Sequence, residues 1–232
     1  MRQIVLDTET TGLEPSQGHR IIEIGCVELV NRKLTGRHYH QYIKPNRLVD
    51  EGAMEVHGIT DEFLMDKPVF EQIAGEFLSF IEGAQLVIHN APFDVGFINH
   101  EFNLLKPTIA PVADHCSVID TLVMARQKHP GQKNNLDALC KRYGVDNSQR
   151  DLHGALLDAE ILADVYLFMT GGQTNLLLGA DSSDTGGAAQ ISGITRLNPG
   201  RIATPIIFAN DDELKQHEGK LSQLGEECIW RK

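Results

Sequence analysis

Apolar residues gather early in the chain in short β-branched runs. Gln3 to Asp7 and Arg20 to Val30 are rich in Ile and Val, and His38 to Ile43 carries Tyr39 and Tyr42, so three early strands are expected. The period then changes. Phe70, Ile73, Phe77 and Ile81 recur at intervals of 3, 4 and 4 residues, one face of a helix over Phe70 to Ile81 that Gly83 stops. Gln85 to His89 reads as a short buried strand. Helical patterns follow over Phe93 to Leu105, Val118 to Arg126, Leu136 to Tyr143 and Gly154 to Met169, with glycines at 144 and 171 as terminators. Strands first and helices later predict an α/β fold, a mixed sheet flanked by helices.

The pattern lapses after Thr170. Residues 171–200 hold seven glycines and no aromatic residue, the composition of a flexible connector, and the domain boundary is placed there. Within it, Gln173-Thr174-Asn175-Leu176-Leu177-Leu178 forms an apolar patch of the kind that marks docking. Beyond the glycines, Arg201 to Ala209 reads as a strand and Asp211 to Leu224 as a helix, with Ile229 and Trp230 near the end. That piece is too small for a core of its own, and a partner would supply the missing burial.

Composition narrows the classes. With 232 residues, 41% hydrophobic and 23% charged, the chain is not disordered throughout. No apolar run approaches the ~18 residues of a membrane span, and Ile4-Val5-Leu6 is too short for a secretory segment, so a soluble, cytoplasmic protein without membrane partners is expected. The four cysteines, Cys26, Cys116, Cys140 and Cys228, show no CxxC spacing and read as reduced thiols. A formal charge of −11 argues against coating long nucleic acid by counterion release. Gripping a few nucleotides through bound cations is compatible with that charge.

The strongest chemical signal is Asp7-Thr8-Glu9-Thr10-Thr11-Gly12, at the end of the first strand. Residues i and i+2 of a strand share a face, so Asp7 and Glu9 project together. Two carboxylates this close need a shared proton or a divalent cation, and an all-oxygen set favours magnesium or manganese over zinc. Chance matches to such a motif are expected on the order of once in ten thousand chains of this length. A second candidate is His89-Asn90-Ala91-Pro92-Phe93-Asp94, where Pro92 and Asp94 suit a helix's first turn and capping alone is an alternative. The third is His153-Gly154-Ala155-Leu156-Leu157-Asp158. Its spacing is not distinctive, because His115 and Asp120 repeat it. Five residues turn a helix by about 140° net, so His153 and Asp158 converge only if His153 lies on the entering loop.

Together these pieces resemble the proofreading exonuclease domain of the DEDD superfamily, in its histidine-containing subgroup. That family carries Asp-x-Glu-Thr on the first strand, Asn-x-x-Phe-Asp at a helix start and His-x4-Asp in the last helix, here Asp7, Glu9, Asp94, His153 and Asp158. The order selects His153 over His115. Val56-His57-Gly58-Ile59 and Asn135-Leu136-Asp137-Ala138-Leu139-Cys140 resemble the branch that serves bacterial replicative polymerases.

The resemblance implies an RNase H-like mixed five-stranded sheet over residues 1–170, the linker at 171–200 and a docking segment at 201–232. It implies two divalent cations, Mg2+ or Mn2+, held by Asp7, Glu9, Asp94 and Asp158, with His153 accepting a proton from the attacking water. The product would be a nucleoside 5′-monophosphate from a DNA 3′ end. Thr10, Gly12, Leu13, His57 and Phe93 would line the terminal-nucleotide pocket. Gln173, Leu176, Leu177 and Leu178 resemble a sliding-clamp motif, although Leu178 stands where an aromatic is frequent. The C-terminal segment would anchor to the catalytic (alpha) polymerase subunit, and a small theta-type subunit is a further implied partner. Two other readings are an RNA-trimming exonuclease of the same superfamily and a mainly structural polymerase adaptor.

Overall fold

Residues 1–150, 152–171 and 208–223 are described by the structure, a computed structural model. The chain divides into two compact units, Met1–Leu176 and Leu177–Lys232.

In the first unit, β1 (Arg2–Thr10) is covered on both faces: Ile4 and Leu6 enter one apolar layer and Val5 the other. β2 (Ile21–Val30) and β3 (Lys33–Tyr42) follow antiparallel. Asn31 and Arg32 join them with φ of 50° and 65°, the two left-handed residues that a tight hairpin matched to strand twist requires. Two short helices, α1 (Glu51–His57) and α2 (Asp61–Leu64), lead to α3 (Phe70–Ile81). β4 (Gln85–Ile88), α4 (Ala91–Leu104), α5 (Val112–His115), β5 (Ser117–Asp120), α6 (Thr121–Lys128), α7 (Leu136–Tyr143) and α8 (Ala155–Thr170) complete the unit. The sheet order is β3-β2-β1-β4-β5, with β1, β4 and β5 parallel. One face packs Phe70, Phe77, Phe97 and Phe102 from α3 and α4; the other packs Leu139, Leu162, Val165 and Met169 from α7 and α8. This is the mixed sheet flanked by helices expected from the pattern, with the five strands that the resemblance implies.

Several expectations need correction. The helix expected over Val118 to Arg126 is a strand and then a helix. Val118 and Ile119 pair with Leu86 and Val87 of β4, and the Asp120 side chain then caps α6 by accepting from the backbone N–H groups of Leu122 and Val123 at 2.8 and 3.2 Å. β5 is a four-residue edge strand with exposed and half-buried side chains that runs straight into α6, too short to show a period of its own. β1 extends past Asp7 to Thr10, which puts both leading carboxylates inside the strand. β3 starts at Lys33, five residues before His38, because Leu34 to Arg37 lie on the outer strand and are polar or exposed. The helices α1, α2 and α5 were not anticipated; at 7, 4 and 4 residues they are too short for a periodic signal. Gly83 and Gly144, at φ 69°, end their segments as expected, whereas Gly171 follows α8 with φ −71° and is not a left-handed cap.

In the second unit, α9 (Asp211–Gln223) matches the expected helix. Asn210 and Glu213 cap it reciprocally, each side chain accepting from the other's backbone N–H at 2.9 Å. Phe208 and Ala209 have no regular structure. The rest of the expected strand from Arg201, and Gln173, Leu176, Leu177 and Leu178, lie outside the described residues.

Candidate active site

Strand order reverses between β1 and β4: β1 connects to β2 on one side and β4 to β5 on the other. Open sheets build their sites at the carboxyl ends of strands flanking such a point. Asp7 and Glu9 leave β1 there on the face of Val5, toward α8. Thr8 faces the other way and its hydroxyl donates to Asp94 Oδ1 at 2.7 Å. Asp94 lies in the first turn of α4, which starts just after β4 with Asn90 in a left-handed conformation, φ 66°.

Asp158 lies in the first turn of α8, its N–H donating to the Gly154 carbonyl at 2.8 Å. Its approach depends on Gly25, the β2 partner of Asp7. A Cβ there would sit 2.2 Å from the carbonyl carbon of Ala155 and the nitrogen of Leu156, so only glycine lets α8 rest against the strand backbone. His153 is on the entering loop, as convergence with Asp158 requires. Its N–H donates to the Val56 carbonyl at 3.1 Å, and its Nδ1 is 3.3 Å from Asp158 Oδ2. His115 and Asp120, the pair with the same spacing, line no part of this cavity.

All five predicted catalytic residues, Asp7, Glu9, Asp94, His153 and Asp158, line one cavity of about 530 Å³. Ligand atoms of Glu9, His153 and Asp158 lie within 4.8 Å of one another, and Asp7 and Asp94 stand beside that group. Charge is poorly balanced. Burial and the carboxylates of Asp94, Glu9 and Asp158 hold the Asp7 carboxyl well above its usual range. Glu9 is pushed up to about 8 by burial and by Glu23, its cross-strand neighbour, with Asp158 and Asp94 adding to it. Asp94 rises to about 7 through burial, opposed by its hydrogen bond from Thr8. A set of oxygens with one imidazole, short of positive charge, fits a divalent cation.

A second pocket of about 470 Å³ adjoins the first, and both are lined by Thr8, Glu9, Leu13 and Phe93. Thr10, Gly12 and His57 line it too, so the five residues expected to receive a terminal nucleotide are together. Leu13 is 77% exposed and is not a core residue. Phe93 packs its ring 5.0 Å from that of Phe97. At Gly12 a Cβ would strike the His19 ring at 2.2 Å, and that ring is held by Thr11 Oγ1 at 3.0 Å. His57 ends α1 and accepts the Ile59 N–H at Nδ1, 3.0 Å, which leaves the proton on a buried Nε2 that has no partner. Burial lowers its pKa.

Sequence reasoning missed Arg150 and Asp137. Arg150 grips both oxygens of Asp158 and also bonds Asp137 Oδ1 at 2.6 Å and His153 Nδ1 at 2.9 Å. One arginine in a polar loop carries no local signal. Thr8 was visible only as a residue between two acids.

The five-stranded mixed sheet with its flanking helices has the RNase H-like architecture of exonucleases. The family described as Exonuclease matches residues 4–166. DNA polymerase III subunit epsilon of Escherichia coli K12 is 52% identical over 239 residues, covering 99% of this chain and 97% of the relative. The subunit of the same name from Haemophilus influenzae is 52% identical, covering 100% of this chain and 95% of the relative. Among solved structures, exonuclease X in complex with 5′-overhanging duplex DNA superposes with a TM-score of 0.57 at 27% identity, covering 74% of this chain and 94% of that one. Escherichia coli exonuclease I with a dT13 oligonucleotide shares the fold, TM-score 0.62 at 20% identity, over 73% of this chain and 41% of that one. The chain belongs to the DNA polymerase III epsilon subunit family of exonucleases.

Proposed function

We propose that this chain is the 3′ to 5′ proofreading exonuclease of a bacterial DNA polymerase III, hydrolysing mismatched DNA 3′ ends to nucleoside 5′-monophosphates in the cytoplasm at the replication fork. One observation carries the reading: Asp7 and Glu9, Asp94, and His153 with Asp158 come from three distant segments and meet in one cavity beside a partly apolar pocket.

Asp7, Glu9, Asp94 and Asp158 would hold two cations, Mg2+ or Mn2+, whose chemistry when bound is to neutralise charge on the phosphate's attacking and leaving oxygens. Leu13 and Phe93 offer apolar surface to a base without reading its identity. His57 lines the same pocket. His153 accepts the proton of the attacking water at Nε2, which requires the ring's own proton to sit on Nδ1.

Membership in this subunit family supports association with the polymerase. We assign the alpha subunit to the segment 201–232, the sliding clamp to Gln173, Leu176, Leu177 and Leu178, and a theta-type subunit to the exonuclease unit. Deleting residues 180–232 is expected to abolish polymerase association and leave turnover intact; loss of turnover would count against that assignment.

The function is tested by Mg2+-dependent digestion of a 5′-labelled DNA primer with a mismatched 3′ end, beside the equivalent RNA. Preferential DNA digestion that disappears in Asp7→Ala with Glu9→Ala is expected. Preference for RNA would favour the RNA-trimming reading, and unchanged replication fidelity in the double variant would favour the adaptor.

A further inference from the structure

The carboxylate-rich cavity repels a polyanion, so holding the strand beyond the scissile phosphate calls for positive charge elsewhere on the molecule. Sheet order gives that strand a direction. The terminal-nucleotide pocket is built from the end of β1 and from α1, whose flanking residues Val49 and Ile59 pack on Ile22 of β2, so it lies on the β2 side of the carboxylates. On the other side of β1 come β4 and β5, and there His89, Asn90, Asn135 and Leu136 wall the cavity. A strand with its last nucleotide in the pocket and its scissile phosphate at Asp7 and Glu9 continues toward that wall.

The segment behind the wall is opposite in sign to the molecule. Residues 121–145 hold five basic residues, Arg126, Lys128, Lys133, Lys141 and Arg142, against one carboxylate, in a chain of net charge −11. That carboxylate, Asp137, is already paired with Arg150. Arg126, Lys128, Lys133 and Lys141 are exposed, and among the described residues none of their side chains makes a hydrogen bond or an ion pair. Burial lowers the pKa of His89 against the pull of Asp120, and the charge of Arg126 lowers it further, so that guanidinium is within electrostatic reach of the cavity wall. The loop between α6 and α7 is braced. Buried Asn134 donates through Nδ2 to the carbonyls of His129 and Gln132 at 3.3 and 3.0 Å. Arg142 reaches back from α7 to Asn134 Oδ1 at 3.0 Å and to the Lys133 carbonyl at 2.8 Å. Asn135 then caps α7 at the cavity.

We propose that Arg126, with Lys128 and Lys133 of the α6–α7 loop, forms a ridge that holds the DNA strand upstream of the 3′-terminal nucleotide by its phosphates. Contacts of this kind position a strand without reading its bases, as removal of any 3′ nucleotide requires. A braced loop presents its charges with less ordering to lose on binding than a free one. This inference rests on the exonuclease reading and its terminal-nucleotide pocket.

The test compares the full chain with Lys128→Gln plus Lys133→Gln, at fixed Mg2+ and varied NaCl, on a dinucleotide and on a twelve-nucleotide single strand of the same 3′ sequence. On the longer strand, kcat/KM at about 0.1 M NaCl should fall by about fivefold per lost phosphate contact, and its logarithmic salt dependence should become shallower by about 0.7 per contact. The ratio of kcat/KM between the long and short substrates should fall accordingly, and Lys128→Arg plus Lys133→Arg, which keeps the charge, should restore it. Lys33→Gln, an exposed lysine where β3 begins beside the amino-terminal end of β1, is the control and should leave both substrates at parental rates. An unchanged ratio and salt dependence in the double Gln variant, or a loss shared equally by both substrates, overturns the ridge and leaves the exonuclease reading standing. Loss of polymerase association with an unchanged ratio overturns it in favour of an acidic protein partner. Failure of the parent to digest either substrate overturns the exonuclease reading and the ridge together.

Discussion

Gly25→Ala tests how the site is held together, because the change lies behind the carboxylates and adds only one methyl group. Its Cβ would meet the Ala155 carbonyl carbon and the Leu156 nitrogen at 2.2 Å and the Ala155 oxygen at 2.4 Å. Ordinary carbon contacts lie at about 3.5–4.0 Å, so the first turn of α8 must retreat by roughly 1 Å or more. All three obstacles are backbone atoms, and no rotamer change relieves them. Asp158 travels with that turn, while Asp7, paired with Gly25 across β1 and β2, stays with the sheet. Overpacking of this kind costs about 1–3 kcal/mol, which lowers Tm by roughly 2–12 °C in a domain of this size. A misplacement near 1 Å costs about 10²-fold in rate. The expected result is therefore a folded protein with a lowered Tm and kcat/KM for a mismatched primer reduced about a hundredfold. Gly75→Ala is the control: it adds a methyl group with no atom within 4 Å on the exposed side of α3 and should leave turnover unchanged. Parental turnover and Tm in Gly25→Ala would refute the claim that this close approach sets the Asp7 to Asp158 relation.

His153→Ala should lower kcat by about 10²–10⁴-fold with little change in primer affinity, read by single-turnover and binding measurements; a fall confined to affinity would contradict its role. Thr8→Val removes the hydrogen bond that holds Asp94 down, so its carboxyl should rise above about 7 and the acid limb of the pH–rate profile should move to higher pH. An unmoved profile would show that Thr8 does not tune Asp94. Without cations, the folded protein retains protons on Asp7, Glu9 and Asp94 at pH values where the unfolded chain has lost them. The contribution of Asp94 is therefore lost as pH rises from about 3.8 through about 7 and that of Glu9 from about 4.5 through about 8, with Asp7 acting in the same direction. Thermal denaturation in a chelator should show Tm falling across that window, and Mg2+ should raise Tm more at the alkaline end than at the acid end. A Mg2+ effect equal at both ends would argue against ionisation of these carboxylates as the source.

The sequence by itself determined which chemistry was present. Strand parity alone places Asp7 beside Glu9, the 3-4-4 spacing of Phe70 to Ile81 is a helix whatever it packs on, and Gly144 ends its helix by a local backbone preference. Those properties depend on neighbours a few residues apart, so they survive in a string of letters. Tertiary structure decided what no short window contains. It turned Val118 and Ile119 into a strand, because β4 offers them a hydrogen-bonding edge. It seated α8 on the bare backbone of Gly25, which brings Asp158 and His153 to Asp7 across some 150 residues of chain. It also put Arg150 onto Asp158 and His153. Contacts between distant segments are set by packing and mutual electrostatics in the folded protein, and for these the position of a residue along the chain carries no trace of its partner.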